Sequence, residues 1–138
     1  MDGRRMVHLD SGCIRVAALD IPARLKQIFE ELSKVVATHE PDHAVIEKIF
    51  MSRNPDSALK LGQARGIAIV TCSLANLSVF EYSATQIKQA IVGRGHAEKT
   101  QVQHMVKALL CLPEKPAADA ADALAAALCH GNTQFGLR

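Results

Sequence analysis

What most constrains this chain is its alternation between two hydrophobic periods. Residues 6–17 (Met-Val-His-Leu-Asp-Ser-Gly-Cys-Ile-Arg-Val-Ala) alternate loosely around Gly12, which predicts a strand bulged at the glycine. Leu25, Ile28, Phe29, Leu32, Val35 and Val36 then recur at helical spacing, behind Asp20 as a cap and Pro22 near the start, and Pro41 ends the run. Residues 43–50 predict a short strand. Asn54-Pro55 opens a second helix to about Ala75, in which Gly62 and Gly66 allow close backbone contact with a neighbour. Leu77 to Tyr82 reads as a third strand. Ser83-Ala-Thr-Gln86 has capping-box spacing and starts a helix to about Val92. Gly93-Arg-Gly95 is a flexible break, and Val102, Met105, Val106, Leu109 and Leu110 mark the next helix. After Pro113 and Pro116, residues 117–130 predict a last helix stopping near Gly131. Strand, helix, strand, helix, strand, then helices predicts an α/β layered domain with at least partly parallel strands.

At 138 residues the chain suits one domain, and 49% hydrophobic content is too high for a disordered segment. No apolar run reaches the roughly eighteen residues of a membrane span. The start, Met1-Asp-Gly-Arg-Arg5, lacks a secretory apolar region. Cys13, Cys72, Cys111 and Cys129 form no metal-finger spacing and read as small buried hydrophobes in a reducing compartment. A cytoplasmic protein is expected. The net charge of +2 hides an uneven distribution. Residues 48–115 carry nine Lys and Arg against four acidic groups, whereas residues 1–47 carry six against eight. Such a basic middle suits a polyanion, although a solvated surface is the plainer account of so mild a bias.

His39-Glu40-Pro41-Asp42-His43 matches the H-E-x-x-H zinc-protease pattern letter for letter. That motif needs both imidazoles on one helical face, and Pro41 between them ends the helix, so zinc is rejected. More informative is Ala117 to Leu128, Ala and Leu almost throughout and interrupted only by Asp119 and Asp122. A helix so apolar is buried on most sides. Its two aspartates, at i and i+3, share a face and repel unless a cation or a shared proton lies between them. Complementing the helix dipole is the alternative, and suits Asp119 better than Asp122. Glu47 shares a strand face with Val45 and Ile49 near the carboxyl end of its strand, where ligand sites gather in α/β sheets. A solvated edge glutamate explains it equally well. Phe50 fits either a core plug or a ring stacked on a splayed base. Lys88 and Lys99 fit either solvated helix surface or phosphate contacts.

Several blocks together carry a resemblance. Ser11-Gly-Cys-Ile14, Val45-Ile-Glu-Lys-Ile-Phe50, Asp56-Ser-Ala-Leu-Lys-Leu-Gly-Gln-Ala-Arg-Gly66, Val79-Phe-Glu-Tyr82, Ala97-Glu-Lys99, Gln101-Val-Gln-His-Met105 and Ala118-Asp-Ala-Ala-Asp-Ala-Leu124 closely resemble the RuvC family of bacterial Holliday junction resolvases. The resemblance runs from about residue 7 to 130 and implies a ribonuclease-H-like fold, a mixed central sheet flanked by helices, over residues 1–138 as a single nuclease domain. It implies a homodimer that cuts opposed strands of a four-way DNA junction with two Mg²⁺ ions per active site, alongside a branch-migration motor complex of the RuvA and RuvB type. By that resemblance Glu47, Asp119 and Asp122 match three of four catalytic, metal-holding carboxylates. Phe50 matches the aromatic that enters the junction. Lys88 and Lys99 match basic DNA-contacting residues at the active site, and Lys99 is counted with the catalytic set.

One departure bears on activity. The family begins with an apolar central strand ending in Asp-Pro-Gly, whose aspartate is the fourth carboxylate, and this sequence has no such strand. Asp2 has no strand before it and Asp10 lies in another strand, so neither replaces it. The expectation is a junction endonuclease weak or inactive as written, from a late start or a truncated reading frame. The alternative is a non-catalytic homologue that binds junction DNA or dimerises.

Overall fold

The computed structural model of the chain describes residues 5–17, 20–48 and 54–136. Among them the order of elements is α1 (Ile21–His39), β1 (His43–Glu47), α2 (Pro55–Leu74), β2 (Ser78–Tyr82), α3 (Ala84–Val92), α4 (Lys99–Leu109) and α5 (Ala118–Phe135). Contacts divide the chain into two compact units. A sheet-bearing unit holds α1, β1, α2 and β2 as far as Glu81; a helical unit holds residues 5–13 with 82–136.

In the sheet-bearing unit the helix signals act as expected. The Asp20 carboxylate accepts from the Ala23 N–H at 2.8 Å, so a side chain satisfies one of the donors that a helix start leaves free. Pro22 occupies the first turn, where its missing N–H costs nothing. Leu25, Ile28, Leu32 and Val36 form the half-buried side of α1, which packs on α2, while Phe29 and Val35 flank it and remain partly exposed. At the far end Glu40 takes a left-handed φ of 46° and Pro41 follows. His39 therefore ends a helix and His43 begins a strand, its ring 5.0 Å from that of Phe80. The rejection of the zinc pattern stands on that geometry.

β1 and β2 pair as a two-stranded sheet and are joined through α2. The α/β class read from the alternation holds. Residues 6–17 do not form the expected strand: apart from a bridge at Arg5, residues 5–17 have no regular structure. A strand is made by its neighbours, and here side chains supply the pairing instead. The Ala17 N–H donates to Gln27 Oε1 at 3.2 Å, and Gln27 Nε2 donates to the Arg15 carbonyl at 2.9 Å. Leu9, 77% exposed, lies on no core face. Gly62 and Gly66 also differ from expectation, since an added Cβ at either would meet nothing within 4 Å. Among the described residues no neighbour approaches them.

The helical unit is built around α5, against which α3 and α4 pack. Ala120, Ala121, Ala125, Ala126, Leu128 and Cys129 are buried on α5, facing Ile87 and Ile91 of α3 and Val102 and Val106 of α4. Small side chains let three helices approach closely, which is why an alanine-rich helix sits at the centre. Ser83 caps α3 through the reciprocal capping box read from the sequence, with Ser83 Oγ accepting from the Gln86 N–H at 3.1 Å. α5 runs beyond the expected stop. Gly131 lies inside it, buried, and the helix ends at Phe135 before left-handed Gly136. Gly131 serves close packing: an added Cβ would collide with the Met6 side chain. The cysteines divide, Cys72 and Cys129 buried but Cys13 and Cys111 exposed. Cys111 stands in the turn after α4 with a φ of 53°, a place set by backbone direction rather than by burial.

Candidate functional site

Asp119 and Asp122 fall in the first two turns of α5. The N-cap position is Ala117 and makes no side-chain cap, so neither aspartate acts as the capping group. Asp119 is exposed in the first turn, where the dipole favours a carboxylate. Asp122 is half-buried, one turn deeper between buried Ala121 and the Ala125–Ala126 pair. Burial pushes its carboxyl above the ordinary value of 3.8; Lys99 opposes that rise, Asp119 adds to it, and Lys88 opposes it again. The helical unit thus brings Asp119, Lys88 and Lys99 within electrostatic reach of Asp122: two carboxylates on one helix face, and a lysine from each of the two helices packed against it. α3 carries Lys88 in its middle turn and α4 begins with Lys99.

Glu47 belongs to the sheet-bearing unit, as the exposed last residue of β1. Its side chain lies at the strand's carboxyl end, as expected from the sequence, with half-buried Val45 on the same face. Ile49 and Phe50 lie outside the described residues. Among those described, no group of three or more His, Cys, Asp or Glu side chains is gathered tightly enough to hold a metal ion. The Asp119–Asp122 pair offers only hard carboxylate oxygens, and its mutual repulsion beside two lysines is what a bound dication would relieve. The donor chemistry of the pair therefore fits a hard dication better than zinc.

Between Lys88 and Lys99 the chain carries a third cation, Arg94. Arg94 is exposed in the turn joining α3 to α4, bracketed by left-handed Gly93 and by Gly95, where an added Cβ would lie 2.7 Å from Thr85. Its signal in the sequence is a cation flanked by glycines within the basic stretch. Elsewhere in the helical unit, Arg5, His8, Leu110, Cys111 and Pro113 line a cavity of about 400 Å³ that none of the predicted site residues borders. No helix among the described residues is long and apolar enough to cross a membrane.

Residues 1–130 match the family model described as Crossover junction endodeoxyribonuclease RuvC. Relatives of that name from Shewanella pealeana and Shewanella piezotolerans are each 58% identical over 135 residues, covering 98% of this chain and 78% of theirs. A solved structure of Thermus thermophilus RuvC in complex with Holliday junction substrate superposes with a TM-score of 0.86 at 31% identity, over 96% of this chain and 82% of that one. A second structure of Thermus thermophilus RuvC gives a TM-score of 0.72 at 36% identity, over 82% of this chain and 69% of that one. The resemblance carried by the sequence blocks is thereby established, and the chain belongs to the RuvC family of crossover junction endodeoxyribonucleases.

Proposed function

We propose that this chain is a structure-selective nuclease domain that engages four-way DNA junctions in recombination and repair, with Glu47, Asp119 and Asp122 as its metal-holding, catalytic carboxylates. The observation that carries this reading is the Asp119–Asp122 pair, set into a buried helix and faced by Lys88 and Lys99 in a chain of this family. Plain helix capping leaves that arrangement unexplained, since α5 has no side-chain cap. Two Mg²⁺ ions held there would supply a water of lowered pKa as nucleophile and charge neutralisation at the leaving 3′ oxygen. The chain's own groups set the rest. Asp122, disfavoured as a free anion, is poised to trade its repulsion with Asp119 for coordination. Lys99, at the first position of α4, lies where it can neutralise a phosphate as negative charge builds, and Lys88 holds a flanking phosphate. Phe50 would stack against an unpaired base at the junction.

The partner set follows from the same reading: junction DNA, a second copy of the chain, and a branch-migration motor of the RuvA and RuvB type, in the cytoplasm. A second copy has a surface to use. Leu59, Gly62, Gly66, Val70 and Leu74 fall at i, i+3, i+7, i+11 and i+15 along one face of α2, and all are exposed. The open glycines on that stripe leave room for the backbone of a partner helix.

These 138 residues contain three of the four carboxylates that the resemblance implies. A polypeptide of this sequence alone is therefore expected to bind a junction but cut it weakly or not at all. A synthetic four-way junction incubated with the purified chain and Mg²⁺ tests both parts. Binding with faint symmetric nicks that Asp122→Asn abolishes supports a weakened nuclease. Binding with no metal-dependent cuts favours the non-catalytic reading. Robust symmetric cleavage contradicts the expected impairment, and failure to bind the junction removes the function altogether.

A further inference from the structure

The cationic rim of the helical unit extends beyond the two lysines. α3 ends at Val92, and the chain then turns back to begin α4 at Lys99. This turn is fixed at several points. The Gly93 N–H donates to the Gln89 carbonyl at 3.0 Å, and Gln89 Nε2 donates in return to the Gly93 carbonyl at 3.0 Å. Gly95 lies tight against Thr85, Ala97 is 3% exposed, and the Glu98 N–H donates to Gln101 Oε1 at 2.9 Å. A turn anchored at both ends and in the middle directs its remaining side chains outward, and Arg94 is exposed. Among the described residues Arg94 has no ion-pair partner, unlike Lys26, Lys34 and Arg65, which are paired with Glu30, Glu31 and Glu81. The only acid in the turn, Glu98, sits at the α4 N-cap.

We propose that Arg94 is a DNA-contact residue that holds a non-scissile backbone phosphate beside the Asp119–Asp122 face. Arg94 lies in the turn between α3 and α4, the two helices that carry Lys88 and Lys99 and pack on α5. As an exposed cation between those lysines it suits a phosphate that neighbours the reacting one. A guanidinium meets phosphate through two parallel N–H donors, and an anchored turn loses little freedom when it does so. The role is binding and register, not chemistry. It rests on the junction reading above.

Salt titration of binding to a fluorescent four-way junction in EDTA, where no cutting occurs, separates the two. Each phosphate neutralised contributes about −0.9 to the slope of log K against log salt. Arg94→Gln is expected to make the slope shallower by about that amount per bound protomer and to weaken binding several-fold at low salt. Arg94→Lys should keep most of the slope. Lys34→Gln, which removes an equal charge from α1, should leave it unchanged. Circular dichroism melts of the three variants check that each folds. An Arg94→Gln slope equal to the parent's, or a loss no larger than that of Lys34→Gln, overturns the assignment while leaving junction binding intact. A parent chain with no salt-dependent junction binding overturns both.

Discussion

Asp122 is caught between opposing influences. Burial and Asp119 raise its carboxyl above 3.8, and Lys99 with Lys88 pulls it back without cancelling the rise. A carboxyl raised in the folded state favours folding fully below its unfolded value, and that benefit is lost as pH climbs through the folded value. At neutral pH without metal the ionised group therefore works against the fold. Asp122→Asn should raise the melting temperature at pH 7 in EDTA, and the gain should shrink as pH falls toward 4 and vanish below. A variant less stable than its parent at pH 7 would mean the lysines outweigh burial. The pair itself was legible, because two aspartates at i and i+3 interrupt an otherwise apolar run. Its lysine partners were reachable only through resemblance, since nothing local in Lys88 or Lys99 says which helix each faces.

At the level of elements, features set by neighbouring residues were legible and those set by distant ones were not. The Asp20 cap, the Ser83 box and the stop at Pro41 depend on atoms a few residues apart, and each appears where the sequence places it. The strand expected over residues 6–17 depends on a partner, which local alternation cannot supply. Gly131 is similar. Near the end of an apolar run it reads as a helix stop, yet its reason is Met6, at the other end of the sequence. Gly131→Ala must displace the flexible Met6 side chain, so urea denaturation should show less than the gain of about 0.8–1 kcal/mol that a helix-interior Gly→Ala otherwise brings. The full gain would mean that the methionine moves away at no cost.

At the scale of the molecule, the exposed stripe on α2 and the cationic rim of the helical unit are surfaces that packing among the described residues leaves unaccounted for. The stripe predicts self-association. Val70→Glu should convert a dimer to a monomer in analytical ultracentrifugation without unfolding the chain, because Val70 is 51% exposed and touches no core. A parent that sediments as a monomer at micromolar concentration would leave the stripe without its partner. The most direct test asks whether the three proposed carboxylates bind one metal ion. Substoichiometric Mn²⁺ added to isotope-labelled protein broadens the NMR signals of residues nearest the ion. The account predicts simultaneous broadening at Glu47, Asp119 and Asp122, suppressed by Asp122→Asn. Broadening at Asp119 and Asp122 with Glu47 untouched, or none at any of the three, would contradict it.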